Sequence, residues 1–219
     1  MNYRELIFQY ILLIPASLIA ITVHEFSHGY MSYKLGDPTA RNLGRLTLNP
    51  IKHIDIIGLL CMIFFRFGWA KPVPVNSRYY KKPRRDMALV GAAGPLSNIL
   101  LGFIGVICLE LMTLIKVEFQ STAYYIVFTA HTFFVLFANI NVYLALFNLI
   151  PIPPLDGSRI FYVFLPPKAY FGIMKYEKYI MIVLIILMWA GVFSGTIGWL
   201  GDKVIDGMMR LVELIPIFR

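Results

Sequence analysis

Charge is scarce in this sequence. Of 219 residues only 15% are Asp, Glu, Lys or Arg, against 58% hydrophobic, and the mean hydropathy is +0.70. A soluble globular domain carries about a quarter charged residues, so that class is excluded. The apolar residues fall in long runs rather than amphipathic stripes, the pattern of an integral membrane protein. Cysteine is almost missing. Cys61 and Cys108 lie in different apolar segments, which supports neither a disulfide framework nor a thiolate metal site, and each is expected to be a buried thiol. No internal repeat, low-complexity tract or linker divides the chain, so a single membrane unit over 1–219 is expected. Nor does any segment read as a cleavable signal, because the apolar run after Arg4 continues into the most polar part of the first helix.

What is present is helix-length hydrophobicity. Spans are predicted at about 6–35, 87–115, 122–150 and 179–193, giving an all-α polytopic membrane protein. The first is stopped by Gly36, a residue type favoured just past a helix end. The stretch 199–215 sets Val204, Met208, Leu211 and Ile215 on one face against Asp202, Lys203, Asp206 and Arg210. It is predicted as an interfacial amphipathic helix rather than a fifth span. Between spans one and two lies a region, about 43–76, whose apolar core IDIIGLLCMIFFRFGWA is too short to cross and is flanked by basic residues on both sides. A membrane re-entrant segment fits, since such backbone is tolerated where protein or a water cavity covers it.

Basic residues also orient the chain. Eleven, from Lys34 to Arg85, fall between spans one and two, and Arg159, Lys168, Lys175 and Lys178 between three and four. The positive-inside rule places these connections in the cytosol and the N-terminus outside. The net charge of +8 follows from that bias and from attraction to anionic lipid, so no nucleic-acid partner is implied.

Against this apolar background the stretch ITVHEFSHGY stands out. His24, Glu25 and His28 form H-E-x-x-H, which on a helix puts two imidazoles one turn apart on one face with a carboxylate beside the first. Ionisable groups inside a span are costly and default to a functional role. A catalytic zinc requires a third protein ligand, and His53, His131, Glu110 and Asp156 are the candidates. A rise of 1.5 Å per residue puts His24 and His28 roughly 27–33 Å along the first helix, toward the cytosolic side. Asp156, just past the inner end of span three in PIPPLDG, reaches that level, and His53 stays in reserve. Glu110 lies at the wrong end of its helix, and His131 is expected to lie above the metal as a hydrogen-bonded imidazole. Other intramembrane chemistries fit poorly: no histidine follows His131 to serve a membrane serine protease, and the spans hold no aspartate pair.

HEFSH at 24–28, GPLSN at 94–98 and FNLIPIPPLDG at 147–157, with the stretch between GRLTLNP and GWAKPVPVN, together resemble the site-2 proteases, intramembrane zinc metalloproteases, over essentially the whole chain. The resemblance implies one Zn²⁺ held by His24, His28 and Asp156, with Glu25 as general base and Asn148 touching the substrate backbone. It implies a core formed by the first three spans, a β-hairpin in the re-entrant region, and a short form without PDZ or nucleotide-sensing domain. The expected substrate is a membrane protein whose transmembrane helix unwinds, cut near the cytosolic face of a bacterial plasma membrane, with selection left to the spans or to a regulatory membrane partner. The alternatives are a zinc-binding transporter with the same ligands, or a proteolytically silent membrane chaperone of this fold. Asn141 and Asn98 lie on span faces, and an interhelical hydrogen bond is expected of Asn141.

Overall fold

The computed structural model describes residues 3–58, 61 and 69–218. Three helices are long and apolar enough to cross a membrane: α1 (Tyr3–Lys34), α3 (Pro83–Thr113) and α4 (Thr122–Asn148). Shorter helices among the described residues include α2 (Thr39–Asn42), α5 (Asp156–Phe161), α6 (Pro167–Met174) and α7 (Glu177–Trp189), followed by α8 (Ser194–Glu213). This is the all-α, polytopic membrane architecture expected from the sequence. The expected fourth span is helical, but α7 has 13 residues and rises only about 20 Å. Length and composition allow a fourth crossing only if α7 and α8 are taken together as one broken span.

Local chemistry explains the helix ends. After α1, Gly36 takes φ +105°. Its N–H then bonds Tyr33 O, while the Asp37 N–H bonds Ser32 O at 3.1 Å. This Schellman pairing satisfies two of the last carbonyls of α1. Inside the helices Ser17 and Ser27 return their hydroxyls to Leu13 O and Val23 O, so neither exposes an unpaired donor to an apolar environment. At the start of α3, Pro83 needs no N–H partner, and buried Asp86 accepts the Lys82 N–H at 3.0 Å. Beyond Asn148, Pro151, Pro153 and Pro154 prevent helix continuation, and the chain turns before α5 begins.

The chain forms two compact units, and each of the three long helices contributes a stretch to both. One comprises residues 1–20, 98–146 and 193–219. Val106 of α3, Ala138 and Val142 of α4, and Met208 and Val212 of α8 form its buried core. Val204, Ile205 and Met209 pack against that core. Met208 of the predicted apolar face is thus covered by protein and Val204 partly so, whereas Leu211 and Ile215 of the same face are exposed. Asn98 donates to Ala20 O at 3.1 Å and to Asn141 Oδ1 at 2.8 Å, the interhelical amide bond expected of Asn141.

The other unit comprises residues 21–97 and 147–192. It contains the ends of the expected re-entrant region, whose middle, 59–60 and 62–68, lies outside the described residues. The hairpin that the family resemblance implied falls largely on those residues. Ile56, Ile57, Gly58 and Cys61 are helical, and the pairing seen among the described residues is one isolated antiparallel bridge, Ile54 to Ala70, with the Lys71 N–H on His53 O at 2.9 Å. Asp55 accepts the Gly58 N–H at 2.9 Å, a helix-starting contact that competes with strand pairing.

Candidate metal centre

Three side chains from distant positions meet in the second unit. His24 and His28 project from one face of α1, and Asp156 is the first residue of α5. His28 Nε2 lies 3.0 Å from His24 Nε2 and 3.0 Å from Asp156 Oδ2, and His24 Nε2 lies 3.0 Å from the same carboxylate oxygen. All three residues are buried. Tetrahedral ligands 2.0–2.1 Å from a zinc ion stand about 3.3 Å apart, so this triangle has the size of three corners of such a site.

The donor chemistry fits as well. His28 Nδ1 lies 2.7 Å from Val90 O. A carbonyl only accepts, so Nδ1 carries the proton and Nε2 of the neutral ring presents a lone pair, the arrangement a ligating histidine requires. That lone pair faces a second imidazole nitrogen and a carboxylate oxygen. A divalent cation satisfies all three electron-rich atoms at once. Asp156 Oδ2, buried between the two imidazole nitrogens, is placed to serve as a carboxylate ligand.

Two glycines make the approach possible. A Cβ at Gly94 of α3 would lie 2.4 Å from His28 Nε2 and 2.7 Å from His24 Cε1, so the imidazoles rest against bare backbone there. A Cβ at Gly157 would lie 2.3 Å from Leu149 O and 2.5 Å from Ile150 O, so α5 folds back against the end of α4 only because that position is glycine. Beside the triad, Glu25 Oε2 accepts the backbone N–H of Val73 at 2.8 Å.

Of the residues singled out by sequence, His24, His28 and Asp156 are brought together, and Glu25 stands next to His24 in the chain. Asn148 ends α4, half-buried in the same unit. His53, held in reserve as a ligand, is not in the cluster; it is buried with Nε2 donating to Thr47 O at 2.8 Å. His131 and Glu110 belong to the other unit. Sequence reasoning did not single out Gly94, Val90 or Val73. GPLSN was recognised only as a motif, and nothing in a residue's type announces which backbone carbonyl or N–H will be used.

Comparison with known proteins points to a zinc metalloprotease. Residues 110–191 match the model of Peptidase family M50. The chain is 43% identical over 177 residues to "Putative zinc metalloprotease YwhC" of Bacillus subtilis (strain 168), covering 80% of this chain and 78% of that protein. It is 27% identical over 203 residues to "Putative zinc metalloprotease Rip2" of Mycobacterium tuberculosis (strain ATCC 25618 / H37Rv), covering 88% and 74%. A protein of the same name from Mycolicibacterium smegmatis (strain ATCC 700084 / mc(2)155) is 26% identical over 183 residues, covering 82% and 67%. No solved structure matches significantly. With three to four apolar helices, a zinc-sized donor triad and a relative this similar over most of both chains, the chain belongs to Peptidase family M50, the site-2 protease family of membrane zinc metalloproteases.

Proposed function

We propose that this metalloprotease is an intramembrane endopeptidase that hydrolyses a peptide bond in or near a transmembrane segment of another membrane protein. The observation that carries the reading is the convergence of Asp156 with His24 and His28, all buried, with the histidines on a helix of membrane-spanning length. When bound, zinc lowers the pKa of a coordinated water from about 15.7 to near 7 and so supplies a hydroxide-like nucleophile at neutral pH.

The chain's own residues do the rest. His24, His28 and Asp156 hold the ion, and the Val90 carbonyl orients His28. Glu25 takes the proton of the attacking water and returns it to the leaving amine. Asn148, at the half-buried end of α4, holds the substrate backbone beside the scissile bond. An intact helix hides its peptide groups, so the substrate is a transmembrane segment that unwinds readily. The basic connections support a cut near the cytosolic face, with the N-terminus outside. A bacterial plasma membrane is the setting, and access is controlled by the spans themselves or by a regulatory membrane partner.

The test is cleavage in proteoliposomes. Purified Glu25→Gln protein should retain one zinc per chain, while fragments seen with the wild type disappear from mass spectra of co-reconstituted single-span proteins. Undiminished cleavage by Glu25→Gln would remove the general base from the mechanism. Zinc flux that survives the substitution, with no proteolysis by the wild type, would favour a transporter.

A further inference from the structure

Glu25 is held by a backbone group with an unusual neighbourhood. Val73 lies between Pro72 and Pro74, and neither proline has an N–H. From 72 to 74 the chain therefore offers one backbone donor, and Glu25 Oε2 accepts it at 2.8 Å. Lys71 and Val73 each precede a proline, which biases both toward extended backbone. Among the described residues this is the hydrogen bond that fixes the Glu25 carboxylate.

The segment is anchored on every side within one compact unit. The Val73 side chain is buried and packs over Gly29, one turn along α1 from Glu25, where an added Cβ would lie 3.0 Å from Val73 Cγ1. On the N-terminal side Arg45 Nη2 donates to Lys71 O at 2.8 Å and to Pro72 O at 3.2 Å. On the C-terminal side the Asn76 N–H donates to Asp37 Oδ2 at 2.7 Å. Asp37 is fully buried and also accepts from Ser32 Oγ at 2.7 Å and from the Thr39 N–H at 2.9 Å. Several hydrogen bonds and a packed side chain thus converge on the placement of one N–H.

We propose that Pro72-Val73-Pro74 is a positioning element for Glu25: the Val73 N–H fixes one carboxylate oxygen and leaves the other directed to the attacking water. This rests on the reading of Glu25 as the general base. Val73 offers a buried aliphatic side chain and an N–H already given to Glu25, so its role is to hold the base rather than to react.

The test replaces the amide by an ester. Incorporating 2-hydroxyisovalerate at position 73 of the full chain removes the N–H and keeps the side chain; the same replacement at Val75 is the control. Zinc per chain, kcat and KM are measured in detergent with a transmembrane peptide. The ester at 73 should lower kcat roughly 10–100-fold, the scale of losing a hydrogen bond to a charged group, with KM and zinc content unchanged and the ester at 75 without effect. An unchanged kcat would overturn the proposal. So would an increase, which would mean the segment restrains the site, or a parallel loss of zinc and KM, which would mean a merely structural role. If Glu25→Gln is itself active, the base reading has failed; if Glu25→Gln is inactive while the ester at 73 is fully active, only this inference has.

Discussion

His28 shows how much of the centre is set by groups other than the ligands. Its Nδ1 is tied to Val90 O at 2.7 Å and its Nε2 lies within 2.4 Å of where a Gly94 Cβ would stand. Gly94→Ala should therefore weaken zinc retention by roughly tenfold or more, the scale seen when supporting groups around a metal are disturbed; competition with a fluorescent chelator measures it. Asp37 makes a second residue-level prediction. Burial raises its carboxyl, but the Asn76 and Thr39 amides and the Thr39 and Ser32 hydroxyls outweigh that and lower it. A depressed folded value means the stabilisation is present above the unfolded value of about 3.9 and is lost as pH falls through the folded one. Asp37→Asn should cost about 1–3 kcal/mol near neutral pH and flatten the acid limb of thermal unfolding followed in detergent. His24 and His28 were legible because ligand chemistry needs imidazoles at one-turn spacing, and Asp156 because the family resemblance named it. Gly94 and Val73 were not, because they act through a missing Cβ and a backbone N–H.

At the scale of elements, the three long helices were readable from hydrophobic length alone, and their observed ends differ from the expected ones by a few residues. Capping explains part of the difference: α3 begins at Pro83, four residues earlier than its apolar run, because Asp86 and Lys82 close its first turn. The re-entrant region was legible as an anomaly but not as a conformation, since a short apolar run between charges does not distinguish helix from hairpin. The C-terminal helix was legible as amphipathic, but amphipathicity does not say whether lipid or protein covers the apolar face. Its packing yields a prediction. Met208→Ala should destabilise the protein by about 2 kcal/mol or more in thermal unfolding, with zinc content unchanged, because Met208 belongs to the core formed with Val106, Ala138 and Val142. Gly157→Ala should behave oppositely, lowering zinc content because a Cβ 2.3 Å from Leu149 O displaces the start of α5 and with it Asp156.

Across the whole molecule, the metal centre draws its ligands from α1 and from α5, 128 positions apart between His28 and Asp156. A pattern search finds the first pair. The third ligand lies beyond the end of α4, where spacing alone does not mark it: the expected depth favoured Asp156 with His53 in reserve, and the family resemblance implied Asp156. The most decisive measurement is the zinc content of purified wild-type and Asp156→Ala protein by inductively coupled plasma mass spectrometry. One ion per chain in the wild type and a large loss in Asp156→Ala is the expected result. A wild type without zinc, or an Asp156→Ala protein holding a full equivalent as firmly, would contradict the centre described above.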